Sequence, residues 1–240
     1  MTGPLAMVCA LTVLCAACSE ELPRRALVQV ALPMCASSDP SAEPTFSIDL
    51  DGRVYWPGGL WKEKHPIERT AWLDELEVLL RNAPGRPTLA IDSRHSFQRL
   101  NLILWAAHRA GQEIMLLTQH RGERHAIPIA MTEPPPSSLV LQVWWGGDDI
   151  ILEHGTLRPR PEEVVSAPRG AAGEREVQGA LSARTAEVFI LRERSRDLGG
   201  PLKPPLRLLC AGRARVDRVV VRPDLVVFDE AAERERRDRE

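Results

Sequence analysis

Apolar and polar positions along this chain fall into short, well-punctuated runs. Thr45 to Leu50 alternates with period two, Phe46, Ile48 and Leu50 against Ser47 and Asp49, which predicts a half-buried strand. Asp51-Gly52 supplies a positive φ cheaply at a two-residue turn, and Arg53 to Trp56 returns as the second strand of a hairpin. From Thr70 to Ala83 the period becomes helical. Leu73, Leu76, Leu79 and Leu80 form one stripe, Thr70 is a candidate N-cap and Pro84-Gly85 a stop. Thr88 to Ile91 reads as a buried strand, and Ser96 to Ala110 as a second helix with Leu100, Ile103, Leu104 and Ala107 on one face and Gly111 as its cap. Ile114 to Leu117 closes the unit as a strand. Ahead of it, Leu27 to Leu32 is strand-like and stops at Pro33.

The same order of elements recurs further along. Ala126 to Ala130 and the proline-rich loop from Pro134 echo the opening strand and loop. Leu139 to Trp145 pairs with Ile150 to Glu153 as a hairpin, a basic Pro/Gly-rich stretch (158–173) follows, and Glu174 to Ala183 is a weak helix. Glu187 to Leu191, Leu206 to Ala214 and Arg218 to Val221 then supply strand, helix and strand, with Asp224 to Phe228 as an added edge. Pro201, Pro204 and Pro205 shorten the last helix, because proline costs about 3 kcal/mol inside one. The predicted fold class is α+β: two tandem small domains, each with two helices packed on one face of a mixed sheet. The boundaries are 1–24 for an anchor, 25–121 and 122–228 for the domains, and 229–240 for a charged tail.

Composition adds mainly exclusions. With 44% hydrophobic and 27% charged residues, neither a disordered chain nor a multi-spanning membrane protein fits. Thirty-one basic against 33 acidic residues, net charge -2, gives no electrostatic reason to expect nucleic acid as a partner. Pro4 to Cys18 is apolar and uncharged, shorter than the ~20 residues that a spanning helix needs. Leu14-Cys15-Ala16-Ala17-Cys18 looks like a bacterial lipoprotein signal in which Cys18 is the lipidated first residue of the mature chain. The other reading is an uncleaved or truncated membrane anchor. Of the five cysteines, Cys15 and Cys18 have the spacing of a zinc or redox pair but lack a second pair, and Cys35 with Cys210 is a candidate disulfide.

Residues 28–118 resemble the periplasmic domain of the ExbD/TolR family of biopolymer-transport proteins. The residues that carry this are Val28, Val30, Leu32 and Pro33, the hairpin Phe46 to Trp56, the strand Leu89 to Asp92 and the helix ending at Ala107 to Gly111. The resemblance implies a domain that follows a single membrane helix, dimerises and lies in the periplasm of a Gram-negative-type bacterium. It also implies envelope proteins, peptidoglycan or a multi-spanning ExbB/TolQ-like membrane protein as partners. In that family a Pro-hydrophobic-hydrophobic-Asp pattern opens the helix and its Asp handles protons; here Pro4-Leu5-Ala6-Met7 sets Met7 in that place. A thioether cannot take up and release a proton.

Candidate chemistry is sparse. No nucleophile elbow, zinc-protease, P-loop or dinucleotide motif occurs. Asp92, His95 and Ser96 imitate an acid–base site, but their spacing fits a capped helix start with Asp92 or Ser93 as cap and His95 exposed. His120 and His125, across the expected interdomain linker, lack a third ligand. Trp144, Trp145 and Trp56 are candidate partner-surface residues, Trp144 and Trp145 turning to opposite faces. The expected function is a membrane-anchored periplasmic binding or scaffold protein, not an enzyme, with no cofactor and with an internal pseudo-dimer or a homodimer. The alternative is an active ExbD-like subunit of a proton-driven transport complex whose start codon was wrongly chosen.

Overall fold

The structure is a computed structural model that describes residues 30–35, 39–40, 43–56, 59–62, 71–145, 147–193, 202–213, 216 and 218–222. The apolar run with Cys18, the cap Thr70, the edge strand expected at 224–228 and the charged tail lie outside the described residues. In chain order the first elements are β1 (Asp39–Pro40), β2 (Phe46–Ile48), β3 (Val54–Trp56), β4 (Gly59–Lys62), α1 (Ala71–Asn82) and β5 (Thr88–Ile91). Then come α2 (Phe97–Arg109), β6 (Ile114–His120), β7 (Glu123–Ala130), β8 (Leu139–Trp145), β9 (Asp149–Thr156) and β10 (Glu162–Pro168). The last are α3 (Ala171–Ser182), β11 (Val188–Glu193), α4 (Lys203–Arg213) and β12 (Arg218–Arg222).

The expectation of two tandem domains, each with its own small sheet, is overturned. All these strands join one mixed sheet in the order β10-β9-β8-β11-β12-β7-β6-β5-β2-β3-β4, with β1 also pairing to β7. The reason lies at residues 119–125. What reads as a linker is a tight hairpin: Arg121 (φ 51) and Gly122 (φ 86) fill a two-residue turn, and β6 and β7 pair from Ile114↔Ile129 to His120↔Glu123. The far flank of β7 takes β12 at Ile129 and Ala130 and β1 at His125 and Ala126. No sheet edge is left where a domain boundary would need one.

Outward from β7 the two flanks read alike. One side runs β6, β5, β2, β3, β4; the other runs β12, β11, β8, β9, β10, with the same sequence of connections. β6 is antiparallel to β7 and β12 parallel to it, so the flanks run in opposite directions, as a half-turn about the sheet normal requires. Right-handed crossovers on both flanks then send every helix to one face. Burial agrees: Leu73, Leu76, Leu100, Ile103, Val177, Leu181, Leu206 and Leu209 share one core with Ile48, Leu89, Leu116, Ile127, Val143, Phe189 and Val219. Strand residues of the other parity, such as Ala90 and Leu117, pack instead against Val30 and Leu32 of the N-terminal arm.

Local signals account for the element ends. Gly111 (φ 71) closes α2 with N–H bonds from Gly111 to the His108 carbonyl and from Gln112 to the Ala107 carbonyl, both near 3.0 Å. The β2–β3 turn is a three-residue loop, not the two-residue turn expected: Gly52 donates to the Asp49 carbonyl (2.9 Å) and holds φ 80. Strands β4 and β10 were not expected. In β10 the pairing shifts between Glu163 and Val165, and that irregularity breaks the alternation that would announce a strand.

Two glycines fix how helices meet the sheet. A methyl at Gly212 would overlap the fully buried ring of Phe189, and one at Gly173 would overlap the Pro168 carbonyl. Gly173→Ala and Gly212→Ala are each expected to lower stability by about 1–3 kcal/mol, the usual cost of overpacking. Gly179→Ala, on α3 with open space around it, is expected to raise stability by up to about 1 kcal/mol. Urea midpoints check the opposite signs; a stabilising Gly212→Ala would contradict the packing.

Candidate functional site

The charged groups at the ends of β2 and β5 form one fastening. Asp92 follows β5 and is wholly buried. Its carboxylate accepts the backbone N–H groups of Ala31 and Arg94 at 3.0 Å, and Arg94 Nε and Nη2 at 2.8 and 2.7 Å. Burial pushes its pKa up, but the Arg94 and backbone hydrogen bonds prevail and hold it below the usual carboxylate value. Asp49, after β2, accepts the Arg53 N–H (2.9 Å) and the Tyr55 hydroxyl (3.0 Å), and burial together with Asp49 raises the tyrosine pKa.

His95 Nε2 donates to the Asp49 carbonyl, and burial pushes its pKa down. Arg99, also pushed down by burial, donates to the Gly52 carbonyl at 3.4 Å. This corrects the reading of an exposed His95 behind an Asp92 or Ser93 cap. Ser96 is the N-cap residue of α2 and makes no side-chain cap bond. Asp92 is consumed by the N-terminal arm and Arg94, and His95 by the hairpin tip. The cluster binds loops together; it holds no free acid–base pair.

The tryptophans separate cleanly. Trp145 is only 3% exposed and belongs to the helix-side core, so its place as a partner-surface residue is corrected: alternation sends it inward. Trp56 is half-buried and stacks on Phe46 at 5.4 Å between centroids. Trp144 is half-buried on the opposite face, with Arg192 5.4 Å from its ring centroid and its Nε1 donating to Glu153 at 2.8 Å. Glu153, buried at 2%, also accepts Gln142 Nε2 (2.6 Å) and Arg160 Nη2 (2.8 Å). Burial raises its pKa, but hydrogen bonds from Trp144, Arg160 and Gln142 outweigh that and lower it. Gln142 Oε1 in turn accepts Arg192, which reaches Glu133 at 3.0 Å, and Arg222 lies 3.5 Å from the same carboxylate. The hydrogen bond from Arg192 chiefly lowers the Glu133 pKa. The network fixes the indole in place and leaves part of it to solvent.

Cys35 and Cys210 form a disulfide with Cα atoms 5.3 Å apart, joining the N-terminal arm to α4. Their pairing was one candidate among the cysteines, and nothing in their spacing required it. His120 and His125 flank the β6–β7 turn with ring centroids 6.3 Å apart. Among the described residues no group of three His, Cys, Asp or Glu side chains is placed to hold a metal ion, and no helix is long and apolar enough to cross a membrane. No protein-family model matches the chain, and no curated protein matches it.

Proposed function

We propose that this chain is a non-catalytic binding or scaffold protein of the cell envelope, in an ExbD/TolR-like, biopolymer-transport setting. Its N-terminal segment holds it at a membrane, and it does no proton-driven work of its own. The observation that carries this reading is the strand order mirrored about β7. One chain supplies both flanks of a sheet related by a half-turn, the arrangement that two identical subunits would otherwise build across an isologous interface. The two flanks thus act as an internal pseudo-dimer in place of a homodimer.

Two further observations support it. A disulfide linking residues 175 positions apart fits an oxidising, extracytoplasmic compartment. The buried carboxylates Asp92 and Glu153 are each spent on arginine and backbone or side-chain donors, which suits a rigid platform better than a proton-transfer site. Trp144 is the partner-facing residue of this reading, with an envelope protein or peptidoglycan as partner.

Sedimentation equilibrium of the oxidised chain at micromolar concentration tests it, with thiol trapping of Cys35 and Cys210 directly from cells. A single-chain mass and a Cys35–Cys210 pair that resists trapping until reduced are the expected results. A tight dimer would sink the pseudo-dimer, and fully reduced cysteines in cells would sink the compartment.

A further inference from the structure

A cleft of about 170 Å³ lies between the N-terminal arm and α4. Leu32, Pro33 and Met34 line it from the arm, Lys203, Leu206 and Arg207 from α4, and Ser93 lines it as well. The walls come from opposite flanks of the sheet, yet both are fixed. Cys35 directly follows Met34, Cys210 stands one helical turn beyond Leu206, and these two cysteines are the disulfide pair. At the start of α4 the Leu202 N–H donates to the His95 carbonyl at 2.7 Å, and Ser93 is held by its N–H bond to the Ala31 carbonyl at 2.9 Å. A cleft built in advance binds without the entropic cost of ordering its walls.

Its lining is apolar within and positive at the rim. Met34 is 66% exposed, the most open of the large apolar side chains among the described residues. Lys203 is exposed and has no ion-pair or hydrogen-bond partner among the described residues, whereas Arg207 reaches Glu174, which is itself buried. Among the described residues the nearby acids Glu174 and Asp92 are paired with Arg207 and Arg94, which leaves Lys203 as the unbalanced charge lining the cleft. The volume is close to that of a cavity of about 150 Å³ known to take one benzene ring. That fits one large apolar side chain.

We propose that this cleft docks an extended acidic peptide segment of a partner protein, one apolar side chain lying between Met34 and Leu206 and flanking carboxylates meeting Lys203 and Arg207. This rests on the scaffold reading above and names the chemistry of its partner. The disulfide beside the cleft holds the two walls at their working separation, so docking depends on the oxidised protein.

The test uses the full oxidised chain and a fluorescein-labelled pentapeptide with a central phenylalanine between glutamates, read by anisotropy at low salt. Saturable binding is expected, weakened about five- to tenfold by Lys203→Glu, the scale of one screened contact exchanged for a repulsion. Met34→Ser, a change on an exposed side chain, is expected to weaken it as well, and reduction with a dithiol to weaken it further. Equal binding by Lys203→Glu, by a lysine-flanked peptide or by the reduced chain would overturn the proposal. So would displacement of the peptide by decanoate at equal concentration, which would identify the occupant as a lipid. Failure here with a monomeric, oxidised protein leaves the scaffold reading intact, because that reading is tested by mass and thiol state alone.

Discussion

Replacing Cys35 and Cys210 together by alanine is expected to cost about 5 kcal/mol, close to the whole stability of a small domain. The figure follows from the loop that the bond closes: 175 positions separate the two cysteines, and the entropy removed from the unfolded chain grows with the logarithm of that length. Geometry makes the bond matter in the folded state too. Among the described residues β12 meets β7 at Val219↔Ile129 and Val220↔Ala130, whereas β6 and β7 pair over seven positions. Among the described residues the two flanks of the sheet are joined by a short ladder, the shared helix-side core, the Leu202 to His95 backbone bond and this disulfide. Urea unfolding of the wild-type chain with and without a dithiol reductant reads the effect. The midpoint should fall sharply on reduction, while the double-alanine variant should ignore the reductant. Coinciding oxidised and reduced curves would mean that the bond carries no stability.

Much of this architecture was legible one element at a time. The leucine stripe of α1, the alternation through Phe46 and Ile48, the β8–β9 hairpin and the Gly111 cap all follow from local physics that acts within a few residues. What was not legible is how the elements share edges. Arg121 adopts a positive φ without being Gly, Asn or Asp, so the turn that makes β6 and β7 neighbours carries no strong local signal and reads as a linker. Once that hairpin is missed, one sheet becomes two.

The candidate site failed in a similar way. Alternation established that Trp144 and Trp145 face opposite ways, but only the position of the helices decides which one faces the core. His95 was expected outside because its burial comes from a hairpin tip more than forty positions away. Cys35 and Cys210 meet because the arm runs beside β6, Gln119 bonding both Pro33 and Cys35, and α4 packs close by. Each of these is a long-range contact that residue spacing does not encode.

Asp92→Ala is expected to cost about 1–3 kcal/mol, the scale of losing a buried acceptor, because the Arg94 side chain it would leave behind is 53% exposed and is taken up by water. The carboxylate has no exposed surface and serves four donors at once, so its loss leaves the N–H groups of Ala31 and Arg94 without their acceptor and the arm held to the end of β5 by the Ser93 N–H to Ala31 carbonyl bond. Asp92→Asn keeps an acceptor and the shape, and should cost less than Asp92→Ala. Arg94→Ala separates charge from geometry, since Asp92 then keeps its backbone donors but loses its cation. The pH dependence shows the difference. The folded-state pKa of Asp92 lies below its unfolded value, so its stabilisation is complete above the unfolded pKa and drains away as pH falls through the folded one. His95, also lowered, adds a loss of the same sign that starts as pH falls below about 6.5, where the unfolded imidazole begins to bind a proton that the folded one resists. Without Arg94 the Asp92 pKa rises, and the acid-unfolding midpoint moves to higher pH. Circular dichroism across an acid titration of wild type, Arg94→Ala and Asp92→Asn measures this. Asp92→Asn should flatten the lowest-pH part of the curve, and an Arg94→Ala midpoint identical to wild type would show that the buried carboxylate draws nothing from its arginine.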